Sequence, residues 1–216
     1  MFITSEQLFN ILKSIDWKTI PGNIKFNLAN INVIITTTDT VGITLQSWLK
    51  QYLNINNFYF REPNNTQEFP DFFLSDNDFS NLLEVKAFNY NNTPAFDIAN
   101  FESYCESLIS KPYRLHANYL IFGYEMDSLG NIYIKDIWLK KIWDIAGKSS
   151  LYPLKTQVKR GMIYNIRPNS NFKNYTTPPF SSKDDFISAI YGTLYKYKDP
   201  NFAQNWINKF NISYSK

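Results

Sequence analysis

Apolar residues recur along this chain at two spacings, and the switches between them mark its elements. In SEQLFNILKSI (5–15), Leu8, Ile11, Leu12 and Ile15 fall at helical spacing, with Thr4 and Gln7 placed as a capping box at the start. The stretch IKFNLANINVIITTT (24–38) is mixed and β-prone. Val41, Leu45, Trp48, Leu49 and Tyr52 then line one face of a second helix, with Asp39 as its expected cap. NFYFRE (57–62), PDFFL (70–74) and NLLEVKAF (81–88) read as consecutive strands. The SDND between the last two is turn chemistry, which predicts an antiparallel hairpin.

Further on, a helix is predicted at 97–109, capped by Asp97 and facing the core with Ile98, Phe101, Cys105 and Leu108. Strands are predicted at 117–126 and 131–139, and another across 157–168. Two amphipathic helices close the chain: 183–197, capped by Ser182, and 200–210, with Pro200 in its first turn. This order predicts an α/β fold, a mixed β-sheet flanked by helices. With no internal repeat and no low-complexity linker, the 216 residues are expected to form one domain. Its expected parts are an N-terminal helix and β-prone segment (1–38), a central core (39–144), a basic segment (145–183) and the closing helices (184–216).

Composition narrows the chemistry. One cysteine, Cys105, excludes an intrachain disulfide, and with a single histidine, His116, no Cys/His zinc site assembles within one chain. No glycine-rich nucleophile turn supports a serine triad on His116, which reads as a polar edge residue. The absence of a basic-then-apolar leader and of any long apolar run gives the expectation of a cytoplasmic protein outside the membrane.

Charge is unevenly spread. Between Glu62 and Glu106 stand nine acids and one base, Lys86; between Ile145 and Lys183 stand seven bases and no acid. Within the acidic part, Glu84 and Lys86 interrupt an otherwise apolar strand and share one of its faces. Charges in such a strand destabilise it unless they are paired or open to a cleft. If Asp71 ends the neighbouring strand, the Asp71 and Glu84 carboxylates with the Val85 carbonyl make an oxygen-only site suited to Mg²⁺. Lys86 would orient or help deprotonate the attacking water. A plain Glu84–Lys86 pair on an edge strand is the alternative.

FPD and LLEVKAF together resemble the PD…(D/E)xK signature of the restriction-endonuclease-like nucleases. PAFDIANFESYCESL, ANYLIFGYEM, IKDIWLKKIWDI and PLKTQVKRGMIYNIRP are similar to type II restriction endonucleases of the NgoBV/NlaIV type, so the resemblance spans roughly residues 39–170. It implies a restriction-endonuclease-like core, Mg²⁺-dependent cleavage of double-stranded DNA, a homodimer on a palindromic site (GGNNCC if the subfamily likeness extends so far) and a cognate DNA methyltransferase in the same system. By the same resemblance Asp71, Glu84 and Lys86 are the catalytic residues. Many such nucleases place a further acidic residue on a preceding helix; here that helix offers Asp39 at its start and, in place of an acid on its face, Gln46, which either holds a water of the metal site or faces solvent.

The basic segment supplies the expected DNA-reading element: Lys155, Gln157, Lys159, Arg160 and Arg167, whose side chains suit guanine edges, adenine or phosphates. A structure-selective or repair nuclease and a non-catalytic DNA-binding module stand beside the restriction enzyme as readings of these residues.

Overall fold

In the computed structural model, described for residues 1–65, 68–174 and 177–215, the chain divides into two compact units. The first comprises Met1–Thr93 with Asn118–Lys140, and the second Pro94–Ala117 with Lys141–Lys216. The stretch 39–144, expected as one core, is thus shared between them. No helix among the described residues is long and apolar enough to cross a membrane.

The first unit opens with α1 (Ser5–Lys13), whose capping box is formed as expected: Thr4 Oγ1 accepts from the Gln7 N–H at 3.1 Å and Gln7 Oε1 from the Thr4 N–H at 2.9 Å. The β-prone segment is a hairpin, β1 (Ile24–Leu28) and β2 (Ile31–Ile35), turning on Ala29 and Asn30, both at positive φ. The helix α2 (Val41–Ile55) starts from a 3₁₀ turn at Thr38–Thr40, so Asp39 lies inside that turn and Thr40 takes the cap position without a side-chain bond. The strand expected at 57–62 reduces to one bridge, Arg61 with Phe73.

The unit's main sheet contains β3 (Phe72–Phe73), β4 (Leu82–Asn89), β6 (Asn118–Met126) and β7 (Ile132–Lys140) in that spatial order, with β5 (Ala99–Asn100) belonging to the second unit. The β3–β4 and β6–β7 pairs are antiparallel and β4–β6 parallel, which is the mixed sheet expected. Leu83, Val85, Leu120 and Phe122 from β4 and β6 join Leu8, Leu12, Val41, Leu49 and Leu53 from α1 and α2 in one buried cluster. Two helices therefore cover the sheet where β4 carries its charges.

Asn81 ties this arrangement together. It closes the β3–β4 loop at φ +54°, while its Oδ1 accepts from the Ser5 N–H (3.0 Å) and Ser5 Oγ (3.1 Å) and its Nδ2 donates to Ile3 O (2.8 Å). Helix α1 is thereby fastened to the turn that sets the β3–β4 register.

The second unit holds a three-stranded sheet, β5–β9–β8, with β8 (Thr156–Lys159) and β9 (Met162–Ile166). Its helices are α3 (Phe101–Ser110), the short α4 (Ile142–Ile145), α5 (Lys183–Tyr197) and α6 (Pro200–Tyr214). Asn100, not Asp97, caps α3, accepting from the Ser103 N–H; Asp97 is instead drawn to Arg167. Ser182 caps α5 as expected. Buried Cys105 offers its main-chain oxygen to the Trp206 indole N–H at 2.9 Å, so the lone cysteine is core.

Replacing Asn81 with glycine keeps the positive φ but deletes the side-chain bonds. Asn81→Gly is expected to destabilise the protein by about 2 kcal/mol, more than Asn77→Gly in the same loop. Urea denaturation of both variants checks this.

Candidate active site

The register of the β3–β4 hairpin builds the site. Phe72 pairs with Leu83 and Phe73 with Leu82, so the next residue outward, Asp71, stands opposite Glu84. Four side chains and two main-chain amides then close a hydrogen-bonded constellation. Asp71 Oδ2 accepts from the Val85 N–H at 2.7 Å, and Asp71 Oδ1 from Gln46 Nε2 at 2.8 Å. The Asp71 N–H in turn donates to Glu84 Oε2 at 3.2 Å, and Lys86 Nζ lies 2.9 Å from Glu84 Oε1. Glu84 is buried, a position a carboxylate occupies only when it is paired and hydrogen-bonded, as here.

Gln46 reaches Asp71 from α2, across 25 residues of sequence, and its amide donates to that carboxylate. The same helix face, one turn on, carries Lys50, which pairs with Glu62 at 2.6 Å. Gln46, Lys50, Glu62, Pro63, Glu68 and Asp71 line a cleft of about 180 Å³. Lys50, Glu62 and Glu68 do not stand out in the sequence. The i, i+4 spacing of Lys50 from Gln46 is the one signal it offers.

Two carboxylates brought this close repel each other, and Asp71 shows the strain. Burial first, then the neighbouring Glu84 charge, raise its carboxyl to about 7 from the ordinary 3.8, against the opposing pull of the Val85 N–H and Lys86. Among the described residues no three His, Cys, Asp or Glu side chains gather around one point. A cation here would therefore rest on Asp71 and Glu84, with the Val85 carbonyl as the main-chain donor. That oxygen-only set, two acids whose mutual repulsion Lys86 and the Val85 N–H offset only in part, fits a hard divalent ion that keeps its remaining positions for water and substrate.

The basic segment is not a single strand. It folds as the β8–β9 hairpin, turning at Arg160 and Gly161 with φ +53° and +76°, the pattern of a two-residue type I′ turn. The KRGM sequence contains this turn, since glycine at its second central position favours it. Lys159 and Arg160 stand exposed at the tip, Lys159 over the Tyr164 ring. Gln157 Oε1 accepts from Asn165 Nδ2 at 3.1 Å. Lys155 Nζ donates to Pro168 O and Ser170 Oγ, and Arg167 pairs with Asp97 and donates to Ala95 O, so both brace the hairpin's base.

His116 contacts the Tyr214 hydroxyl through Nε2 at 2.8 Å, a surface contact within the second unit. Burial, then Lys183 and Lys141, lower its pKa.

The sequence pattern of the NgoBV restriction endonuclease family matches residues 2–216. The chain belongs to that family. The type II restriction enzyme NlaIV of Neisseria lactamica is 42% identical over 225 residues, covering 99% of this chain and 90% of that enzyme. The type II restriction enzyme NgoBV of Neisseria gonorrhoeae is 42% identical over 148 residues, covering 67% of this chain and 83% of that enzyme. The solved structure of the NlaIV restriction endonuclease aligns with a TM-score of 0.90 at 40% identity, over 99% of this chain and 89% of that one. The restriction-endonuclease-like fold expected from sequence is the fold observed, and this member of the NgoBV family is a type II site-specific deoxyribonuclease.

The raised Asp71 carboxyl has a consequence for stability. Its folded value lies above its unfolded one, so the contribution of the protonated group is complete below about pH 4 and is lost as pH rises through about 7. Asp71→Asn abolishes that dependence, because an amide keeps the Val85 bond and offers its NH₂ to a flipped Gln46 amide. In EDTA, thermal melts are expected to show Asp71→Asn gaining on the native protein between pH 5 and pH 8, by on the order of a few kcal/mol. Parallel melting curves would rule out the strained pair.

Proposed function

We propose that the Asp71–Glu84–Lys86 constellation is the catalytic centre of a Mg²⁺-dependent endonuclease that cuts both strands of a short palindromic site. The observation that carries this reading is the hydrogen-bonded joining of two carboxylates, a lysine and Gln46 at a strand pair. It occurs in a chain whose relatives are named type II restriction enzymes. Bound there, a divalent cation supplies positive charge for the scissile phosphate and makes hydroxide available near neutral pH.

The chain's own residues do the rest. Val85 and Gln46 hold the Asp71 carboxylate in place, and the Asp71 N–H holds Glu84 beside it. Lys86, held by Glu84 Oε1, is placed to orient the attacking water, to help take its proton and to offset charge developing on the phosphate. Gln46, polar but uncharged, steadies Asp71 and can hold a water without adding to the repulsion.

DNA contact is assigned to the β8–β9 hairpin. Arg160 is a non-glycine residue kept in the left-handed region, a placement that costs about 1 kcal/mol, and it stands exposed at the tip. Arg160 and Lys159 contact guanine edges or phosphates, and Gln157 reads a base edge. Lys155 and Arg167, the other two candidates, serve that contact by holding the hairpin's base, or meet phosphate from it. The recognition sequence expected from the likeness to NlaIV and NgoBV is GGNNCC, cut by two chains related by the two-fold axis of the site. A methyltransferase of matching specificity protects the host's own DNA.

Digestion of unmethylated phage DNA tests this. Discrete fragments with ends mapping to GGNNCC are expected with Mg²⁺ and none with EDTA. Lys86→Ala should lower cleavage by at least about a hundredfold while Mg²⁺ still raises the melting temperature; Glu84→Ala should lose both responses. A smear would remove the palindromic site, and full activity in Lys86→Ala would remove the assigned centre.

A further inference from the structure

The β1–β2 hairpin forms a two-stranded sheet of its own. Its register pairs Ile24 with Ile35, Phe26 with Val33 and Leu28 with Ile31. Opposed residues, and residues two apart, share a face, so all six side chains of that face are apolar. The other face carries Lys25 opposite Ile34 and Asn27 opposite Asn32. At its root the hairpin is fixed: Ile24 packs on the unit's core, and Gly22 and Ile132 exchange two main-chain bonds of 2.8 Å. Gly130, at φ +81°, lets Ile34 and Ile35 sit so close that a Cβ there would come within 2.7 Å of Ile34 Cγ2. Beyond that root the apolar face meets solvent: Leu28 and Ile31 are each 65% exposed, Phe26 53% and Val33 43%.

A two-stranded hairpin is marginal in water unless its face is covered, and a contiguous apolar patch on a soluble protein marks a contact surface. We propose that this face is where two copies of the chain meet. The inference rests on the two-chain reading of the proposed function, since the described residues supply one Asp71–Glu84–Lys86 centre per chain for two strands to be cut. Charge favours the same occupant. The hairpin's one charged side chain, Lys25, lies on the opposite face, so the apolar face offers nothing to DNA phosphates, whose contacts require Lys or Arg and polar donors. An uncharged apolar face placed against its own copy across a two-fold axis is complementary to itself. A stable pairing needs about 800 Å² from each partner, apolar at its centre and polar at its rim. The exposed Phe26, Leu28, Ile31 and Val33 supply the centre, and Asn30 at the turn lies at the edge of that face.

Sedimentation of the full chain, alone and on DNA, tests the proposal together with Phe26→Lys, which adds a charge at an exposed position. The expected result is a native particle of twice 25.4 kDa and a Phe26→Lys variant that melts normally but dissociates at least about tenfold more readily. A variant that stays dimeric would overturn this surface and leave the two-chain reading intact. A native monomer even on DNA would overturn both. A variant unchanged in mass that loses DNA affinity would make the face a DNA contact and refute the pairing. Should Phe26→Lys fold poorly, Ile31→Cys gives a second arm, since the native Cys105 is buried. Mild oxidation is expected to join Ile31→Cys chains and not those of Ile55→Cys, a substitution at another exposed position; no joining of Ile31→Cys would also refute the proposal.

Discussion

The crowding of two carboxylates against one strand end is the constraint on which the candidate site in the first unit depends. Asp71 is held by a main-chain amide of β4 and by a side chain of α2, while its own amide holds Glu84. The consequence is a carboxyl raised to about 7 beside a second acid that is buried and ion-paired. Protein interiors tolerate such pairs only when the surroundings over-determine them. Here the supports are specific: the β3–β4 register, the Asn81 clasp on α1, and the apolar cluster that seats α2 on the sheet. If the proposed cation binds here, the stability given up at the carboxylates is what creates affinity for it.

The acidic site and the basic hairpin stand in different units of the chain. The acidic centre stands on the strands and helices of the first unit, and the basic hairpin on the three-stranded sheet of the second. Each unit has its own apolar interior, one around Leu83, Val85 and Phe122, the other including Phe101, Leu108, Phe186 and Trp206. Six of the nine acids between Glu62 and Glu106 stand in the first unit, and all seven bases between Ile145 and Lys183 stand in the second.

Much of this is legible in the sequence because charged residues in apolar surroundings are conspicuous. Glu84 and Lys86 inside LLEVKAF, with Asp71 opening the strand before it, point to the site. The Thr4–Gln7 box and Ser182 mark helix starts through purely local chemistry. The expectations that fail depend on distant partners or on competition between nearby ones. Asp97 is the expected cap of α3, but Arg167, 70 residues away, draws it off and Asn100 takes the place. The aromatic run at 57–62 reads as a strand, yet only Arg61 finds a partner on the two-residue β3. The segment 157–168 alternates well enough to pass for one strand, and its turn rests on a single glycine after an arginine that local preference would not place at positive φ. The contact of Gln46 with Asp71 spans loops whose path no periodicity reveals.

The most direct measurement is anomalous diffraction from crystals of the DNA complex soaked in Mn²⁺. The account predicts a metal peak between Asp71 and Glu84, within coordinating reach of an oxygen of each, and no such peak in crystals of Glu84→Ala. A peak held by other side chains, or none beside this pair in well-ordered crystals that still cleave on soaking, would contradict it.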